Sequence, residues 1–286
     1  MIKSPLNYTG NKFKLLNQII PVFPKVQKFA DVFCGGLNVG INADADIIFA
    51  NDRMSPLIEM YEYFQLHSID EILSEISSII TFYSLSKTNQ EGFFTLRNDY
   101  NAEKDPLKLF VLSCYSFNNI IRFNNSFEYN SSFGKNRSSF NKEIEENLLK
   151  FVNILKNKNV IFSSKDFKNF DYENADLVYC DPPYLISNAM YNDGKRCFGD
   201  WSKQDDADLL QILDAVHQNG KMFALSNVIE HKGLVNEELL EWSKKYNTIV
   251  LNKTYSNCSY NLKTKAEKTQ EVLITNFERN DLIEDW

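Results

Sequence analysis

The sequence is short of the residues that build several common kinds of site. It holds three histidines, His67, His217 and His231. A catalytic triad therefore has few candidate bases, and because none of the three lies in a motif, surface or packing roles are expected. Its five cysteines (Cys34, Cys114, Cys180, Cys197 and Cys258) are scattered, with no Cys-x-x-Cys pair and no histidine at ligand spacing. That pattern argues against zinc and fits reduced thiols in a reducing compartment. No apolar run approaches the roughly 18 residues of a membrane span. The opening residues, MIKSPLNYTGNKFKLL, lack the apolar stretch and small-residue cleavage site of a secretory signal. A cytoplasmic location is the expectation. Absence of Gly-x-x-x-x-Gly-Lys-Ser/Thr leaves a P-loop nucleotidase without support.

What is present is an ordinary soluble composition, 43% hydrophobic and 24% charged. A chain of 286 residues can form one large α/β domain with an insertion, or two domains. The net charge of -7 argues weakly against a non-specific nucleic-acid coat, yet the basic residues cluster. Residues 110–142 carry Arg122, Lys135, Arg137 and Lys142 against Glu128 alone, and residues 244–268 carry six lysines against Glu267. Local contacts to a polyanion and plain solvated faces both account for such stretches.

Residues 28–64 have the pattern of a βαβ unit. KFADVF alternates into a strand, CGGLNVG is a glycine-rich turn, and DIIFAND is a second apolar strand. SPLIEMYEYF then reads as a helix, with Ser55 as N-cap and Pro56 at the first helical position. From about residue 68 to 157 the pattern turns helical, around a polar stretch rich in asparagine and phenylalanine, FNNSFEYNSSFGKNRSSFN. Strand-like runs resume at 159–164, 175–180, 221–227, 246–252 and 271–277, with helical DADLLQILDAVHQ among them. Strands alternating with helices predict a mostly parallel sheet covered on both faces. The simplest architecture is a discontinuous α/β domain around a mainly helical insert.

Two motifs carry chemistry. DVFCGGLNVG lets backbone approach a ligand, and Asp52, at the end of the next strand, can accept hydrogen bonds from ribose hydroxyls. A tight structural turn reads the same way, and the spacing fits a pyrophosphate-binding loop poorly. In VYCDPPYL, Pro182 and Pro183 fix φ and remove two backbone donors, so the strand cannot continue its ladder. Asp181 is then presented at the carboxyl edge of a sheet, where doubly wound folds bind ligands. Its carboxylate and the Pro182 carbonyl can accept both hydrogens of a planar amino group, and Tyr184 offers a face for stacking. Taken alone, the tetrapeptide can also be a turn.

In their order along the chain these pieces resemble the Dam-type (group α, D12-class) adenine-N6 DNA methyltransferases that depend on S-adenosylmethionine, over nearly the whole length. NYTGNKFKLL is similar to the family's N-terminal aromatic-x-Gly-x-Lys motif, with Tyr8 and Lys12. DVFCGG, with Phe33, Gly35 and Gly36, resembles its acidic-x-Phe-x-Gly loop, and FAND supplies the ribose-binding acid Asp52. FSSKDF resembles the segment whose Asp166 and Phe167 contact the cofactor's adenine, and DPPY (Asp181, Pro182, Pro183, Tyr184) is the catalytic motif. YSFNNIIRFNNSFEYNSSFGKN is similar to the recognition segment, which puts Asn118, Arg122, Asn124, Phe133, Gly134 and Lys135 near DNA. Two departures stand out. Leu37 and Asn38 follow Gly36 where the family usually runs Gly-Ser, and the lysine-rich end differs from the shortest members, so that Lys263, Lys265 and Lys268 are candidates for backbone contacts.

The resemblance implies a Rossmann-like methyltransferase sheet with helices on both faces, formed by residues 1–66 and 156–286, and a target-recognition domain at 67–155. It implies S-adenosylmethionine as cofactor, double-stranded DNA as partner, no metal, and base flipping with direct in-line transfer, in a restriction-modification system or a solitary counterpart. None of the seven prolines precedes a cysteine, which removes the nucleophile of a cytosine-C5 enzyme. Cytosine-N4 transfer uses the same amine chemistry, usually with serine at the position of Asp181. An RNA adenine methyltransferase is compatible with the tetrapeptide but leaves the insert unexplained. A DNA-binding protein with a decayed cofactor site predicts loss of Lys12, Asp52 or Asp181, and all three are present. Oligomeric state and recognition sequence are not encoded in these motifs.

Overall fold

The computed structural model describes residues 1–188, 201–252 and 269–278. Among the described residues, eight strands form one sheet: β1 (Val26–Asp31), β2 (Ala45–Asn51), β3 (Asn159–Ser163), β4 (Leu177–Cys180), β5 (Met222–His231), β6 (Leu234–Val235), β7 (Asn247–Leu251) and β8 (Thr269–Thr275). Their order is β3-β2-β1-β4-β5-β8-β7, with β6 paired to the end of β5. β1 to β5 run parallel along that path, whereas β8 is antiparallel to both its neighbours. The order reverses beside β1, and the gap between β1 and β4 is the topological switch point, where a crevice opens at the carboxyl ends.

The central strands read as unbroken apolar runs because both their faces are buried. Phe29, Leu177, Tyr179, Ala224 and Leu273 face one core. Ala30, Val178, Cys180, Phe223, Leu225 and Ile274 alternate to the other. The helices are α1 (Leu16–Ile19), α2 (Ser55–Leu66), α3 (Ile69–Phe82), α4 (Gln90–Glu103), α5 (Pro106–Tyr115), α6 (Lys142–Asn157), α7 (Leu185–Asn188), α8 (Lys203–Gln218) and α9 (Glu237–Ser243). α8 and α9 cover the second core with Leu209, Leu213, Leu239 and Trp242. The first core takes Tyr61 and Phe64 of α2, Phe110 of α5 and Phe151 of α6. Helices from residues 67–155 therefore share a core with the sheet. α5 is buried along nearly its whole length, which is why its sequence shows no polar face.

Caps follow local rules. α3 begins with a capping box, Ser68 with Glu71, and α8 with another, Ser202 with Asp205. At α2 the expected cap is displaced by one residue. Ser55 is the first helical residue and Met54 the N-cap, because Asp52 Oδ1 already accepts the Met54 N–H at 2.9 Å and takes the capping role from outside the helix. Among the described residues no helix is long and apolar enough to cross a membrane.

Candidate active site

A cleft of about 530 Å³ opens at the switch point. It gathers Tyr8, Lys12, Phe33, Gly35, Gly36, Asp52, Asp166, Phe167 and the whole Asp181–Tyr184 tetrapeptide. Strand register explains the convergence. Asp31 and Tyr179 lie opposite each other at the ends of β1 and β4, so the loops that follow both strands leave the sheet side by side. Asn51, at the end of β2, bonds the carbonyls of Val32 and Lys165 at 3.0 Å and fixes the loops after β1 and β3 to the same edge.

The glycine loop is held from both sides. Asp52 Oδ2 accepts the Gly35 N–H at 2.9 Å, and Tyr61 Oη donates to the Gly35 carbonyl at 2.7 Å. Gly35 has φ +45°, and a Cβ there would stand 2.9 Å from the Tyr8 ring. Tyr8 and Gly35 therefore require one another. Leu37, one of the two departures from the family loop, has φ 54°, a left-handed conformation that normally favours glycine. It is fully buried, and its side-chain packing retains a backbone shape that glycine would adopt without strain.

The loop leaves a polar group waiting. Asp31 is 1% exposed, its Oδ2 accepts the Gly40 N–H at 2.9 Å, and its Oδ1 has no hydrogen-bond partner among the described residues. Burial pushes the Asp31 carboxyl up to about 8, against the Gly40 hydrogen bond, with Asp181 and Asp52 adding to the rise. A buried acceptor on a cleft wall calls for a donor on the ligand, such as an amine. Asp52 is likewise raised by burial, against its bonds from Met54 and Gly35. The rings of Phe33, Phe167 and Trp201 stand 5.1 to 5.7 Å apart and make an aromatic recess that fits a flat base. Asp166 caps the short turn carrying Phe167. The donor set fits a nucleoside cofactor: carboxylates for hydroxyls and an amine, aromatic faces for a base.

Asp181 lines the same cleft. Its Oδ2 is 2.6 Å from Lys12 Nζ, and its Oδ1 accepts from Tyr184 Oη at 2.9 Å. Burial raises the Asp181 carboxyl, Lys12 opposes the rise, and Glu271 adds to it. Side-chain exposure is 16% for Asp181, 5% for Lys12 and 3% for Glu271, so Asp181 is the member of this group that meets a ligand. An acceptor carboxylate beside the proline carbonyl is suited to a planar amine.

Sequence reasoning did not single out Asp31, Trp201 or Glu271. Asp31 had a signal, as the acid that opens the glycine loop. Trp201 and Glu271 had none, since Trp201 reaches the cleft, and Glu271 reaches Tyr184 and Lys12, only through folding.

The candidate DNA-contacting residues divide into two groups. Arg122 and Lys135 are exposed, and Arg122 is braced against Asn130 through Nε at 2.8 Å and Nη2 at 3.0 Å. Asn118 is exposed in a left-handed conformation, and its carbonyl accepts from Asn7 at 2.7 Å, linking the insert to the N-terminal motif. Asn124 lines the cleft with Phe123, Asn125 and Phe127. Its Oδ1 accepts the N–H groups of Ser126 and Glu128, both at 2.9 Å, so it also builds the turn. Phe133 and Gly134 face the protein. Phe133 packs on Phe93, ring centroids 5.3 Å apart, and buried Gly134 donates to the Tyr115 carbonyl. Lys263, Lys265 and Lys268, like Cys197 and Cys258, lie outside the described residues.

Residues 8–257 match the family model of the D12 class N6 adenine-specific DNA methyltransferases. The chain is 50% identical over 280 residues to the type II methyltransferase M.FokI of Planomicrobium okeanokoites, covering 96% of this chain and 43% of that protein. It is 47% identical over 283 residues to the modification methylase StsI of Streptococcus sanguinis, covering 97% and 43%. Identity to a DNA adenine methylase of Escherichia coli strain K12 is 25% over 246 residues, 84% of each chain. This chain spans less than half the length of the first two relatives.

Proposed function

The chain belongs to the D12 class of N6 adenine-specific DNA methyltransferases, and from that premise we propose that it methylates adenine N6 in duplex DNA at a specific sequence, with S-adenosylmethionine as methyl donor. M.FokI and StsI are named as a type II methyltransferase and a modification methylase, which favours a restriction-modification role, with a solitary enzyme as its counterpart. The observation that carries the reading is the position of Asp181. It is a partly exposed carboxylate braced by Lys12 and Tyr184, in one cleft with the glycine loop, Asp52 and the Phe33–Phe167–Trp201 recess.

When bound, S-adenosylmethionine supplies an electrophilic methyl group on its sulfonium. Asp52 would accept its ribose hydroxyls, the aromatic recess and Asp166 its adenine, and Asp31 Oδ1 its amine. The exocyclic nitrogen of the target adenine is a weak nucleophile, since its lone pair is delocalised into the ring. Hydrogen bonds from that amine to Asp181 and to the Pro182 carbonyl draw the nitrogen toward tetrahedral geometry and localise the pair. The chain's own contribution is thus positioning and electrostatics. A base inside a duplex must be flipped to reach Asp181, with Tyr184 as its stacking face.

Arg122, Lys135, Asn118 and Asn124 would contact DNA, because arginine and asparagine read base edges and lysine meets phosphate. Phe133 and Gly134 would act by holding the shape of that loop. A methylation-sensitive sequencing map of DNA from cells expressing the chain tests the reading. N6-methyladenine in one short context is the expected result. DNA without modified adenine, with label from the methyl donor appearing on RNA, on protein or on cytosine, would overturn it.

A further inference from the structure

The Lys12–Asp181 contact is half of a larger group. Glu271 lies on β8 between β5 and β7, 3% exposed, in register with Val228 and Leu251. Its Oε1 accepts from Tyr184 Oη at 3.1 Å and lies 3.6 Å from Lys12 Nζ. Tyr184 Oη is also 2.9 Å from Asp181 Oδ1, and Lys12 Nζ is 2.6 Å from Asp181 Oδ2. Two carboxylates thus share one ammonium and one phenol. A phenol has one proton to donate, so Tyr184 can complete only one of these bonds at a time. An interior sheet position next to Val272, Leu273 and Ile274 is costly ground for a carboxylate, and an apolar residue would pack there at no such cost.

We infer that Glu271 is a positioning residue for methyl transfer, the second acceptor to which Tyr184 and Lys12 turn when Asp181 engages the target amine. The inference rests on the methylation reading above. Before the amine arrives, Tyr184 and Lys12 occupy one oxygen each of Asp181. On its arrival the phenol's hydrogen bond passes to Glu271, Asp181 Oδ1 is released to N6, and the Tyr184 ring keeps its place as the stacking face. Without Glu271, Tyr184 competes with the amine for the same oxygen. Among the described residues, the charged and titratable groups facing this pair are Lys12 from the N-terminal segment, Asp31 and Tyr179 from β1 and β4, and Tyr184 after β4.

The test compares wild type, Glu271→Leu, which removes the acceptor, and Glu271→Asp, using labelled S-adenosylmethionine and a duplex carrying the mapped site. In Glu271→Leu, kcat should fall roughly ten- to a hundredfold, as misplacement of a reacting group does, while KM for DNA and cofactor affinity stay within roughly threefold of wild type. Removing the Glu271 charge also eases ionisation of Asp181, so the acid limb of kcat should move to lower pH. Glu271→Asp should recover part of the rate and keep the wild-type acid limb.

Unchanged kcat and acid limb in Glu271→Leu would overturn the inference. So would a loss of kcat that tracks a loss of cofactor binding with the limb unmoved, or failure of the variants to fold, since these assign Glu271 a structural role. An inactive wild type would sink the methylation reading and this inference together. An active wild type with an indifferent Glu271 would sink the inference alone.

Discussion

Replacing Asp181 by Asn keeps the volume of the side chain and removes its charge, which isolates the carboxylate's part in the chemistry. The amide oxygen can still accept from Tyr184, which lies 2.9 Å from Oδ1. The other position, 2.6 Å from Lys12 Nζ, becomes an NH₂ group, so two donors face each other. Removing one partner of a buried ion pair typically costs about 3–5 kcal/mol. Here Lys12 has the Gly10 carbonyl at 3.0 Å and Glu271 at 3.6 Å to fall back on. The folding loss should therefore be near that of one charged hydrogen bond, about 1.5–3 kcal/mol. Catalysis should suffer more sharply. Losing one preorganised electrostatic contact to a reacting group costs about 2.7–4 kcal/mol, a factor of roughly 10² to 10³ in kcat. Asp52, the glycine loop and the aromatic recess are untouched, so cofactor affinity should change by less than about threefold. Methyl incorporation measured beside titration calorimetry separates the two effects. Near-normal turnover would refute the role of Asp181, and a fall in cofactor affinity equal to the fall in rate would refute the separation of its role from cofactor binding.

Arg122→Ala removes an exposed side chain braced only within its own loop, so stability should change by less than about 0.5 kcal/mol; site discrimination should weaken by about 1–3 kcal/mol if the guanidinium reads a base edge, and an unchanged methylation map would remove it from the recognition set. Asp31, with its carboxyl raised to about 8, holds its proton more tightly folded than unfolded between about pH 4 and about 8, so its contribution to stability falls as pH rises through that window, by at most about 1.4 kcal/mol per pH unit. Asp31→Asn should flatten that slope in urea titrations of the cofactor-free protein, and an unaltered slope would reject the assignment. Gly134→Ala would set a Cβ 2.2 Å from Ser138 Oγ and 2.8 Å from the Ser116 carbonyl, for an expected loss of about 1–3 kcal/mol in denaturant melts; a neutral result would show that the loop yields.

Strands and the motif order are legible along the chain because their causes are local. Continuous apolar runs such as LVYC mark strands buried on both faces, and the prolines of DPPY end β4 without reference to any other segment. The displaced cap of α2 was not legible. Ser55 satisfies every local rule for a cap, and only the approach of Asp52 to the Met54 N–H sets the boundary. The backbone of Leu37 was not legible either. A leucine gives no hint of a left-handed residue, yet complete burial holds it there.

By itself, the sequence determined the alternation of strands and helices, the acids at strand ends, and the succession of Lys12, Asp52, Asp166 and Asp181 that points to amine methylation. The tertiary structure decided which of these groups touch, and it added Asp31, Trp201 and Glu271 to them. Lys12 and Asp181 are 169 residues apart, and Tyr184 and Glu271 are 87 apart. Contact between them depends on the reversal of strand order beside β1 and on the antiparallel insertion of β8 next to β5. In EVLITNF, Glu271 reads as one polar residue at the start of a strand. Its position against Tyr184 and Lys12 arises from the sheet as a whole, since hydrogen-bond register is a relation between strands that no single strand encodes.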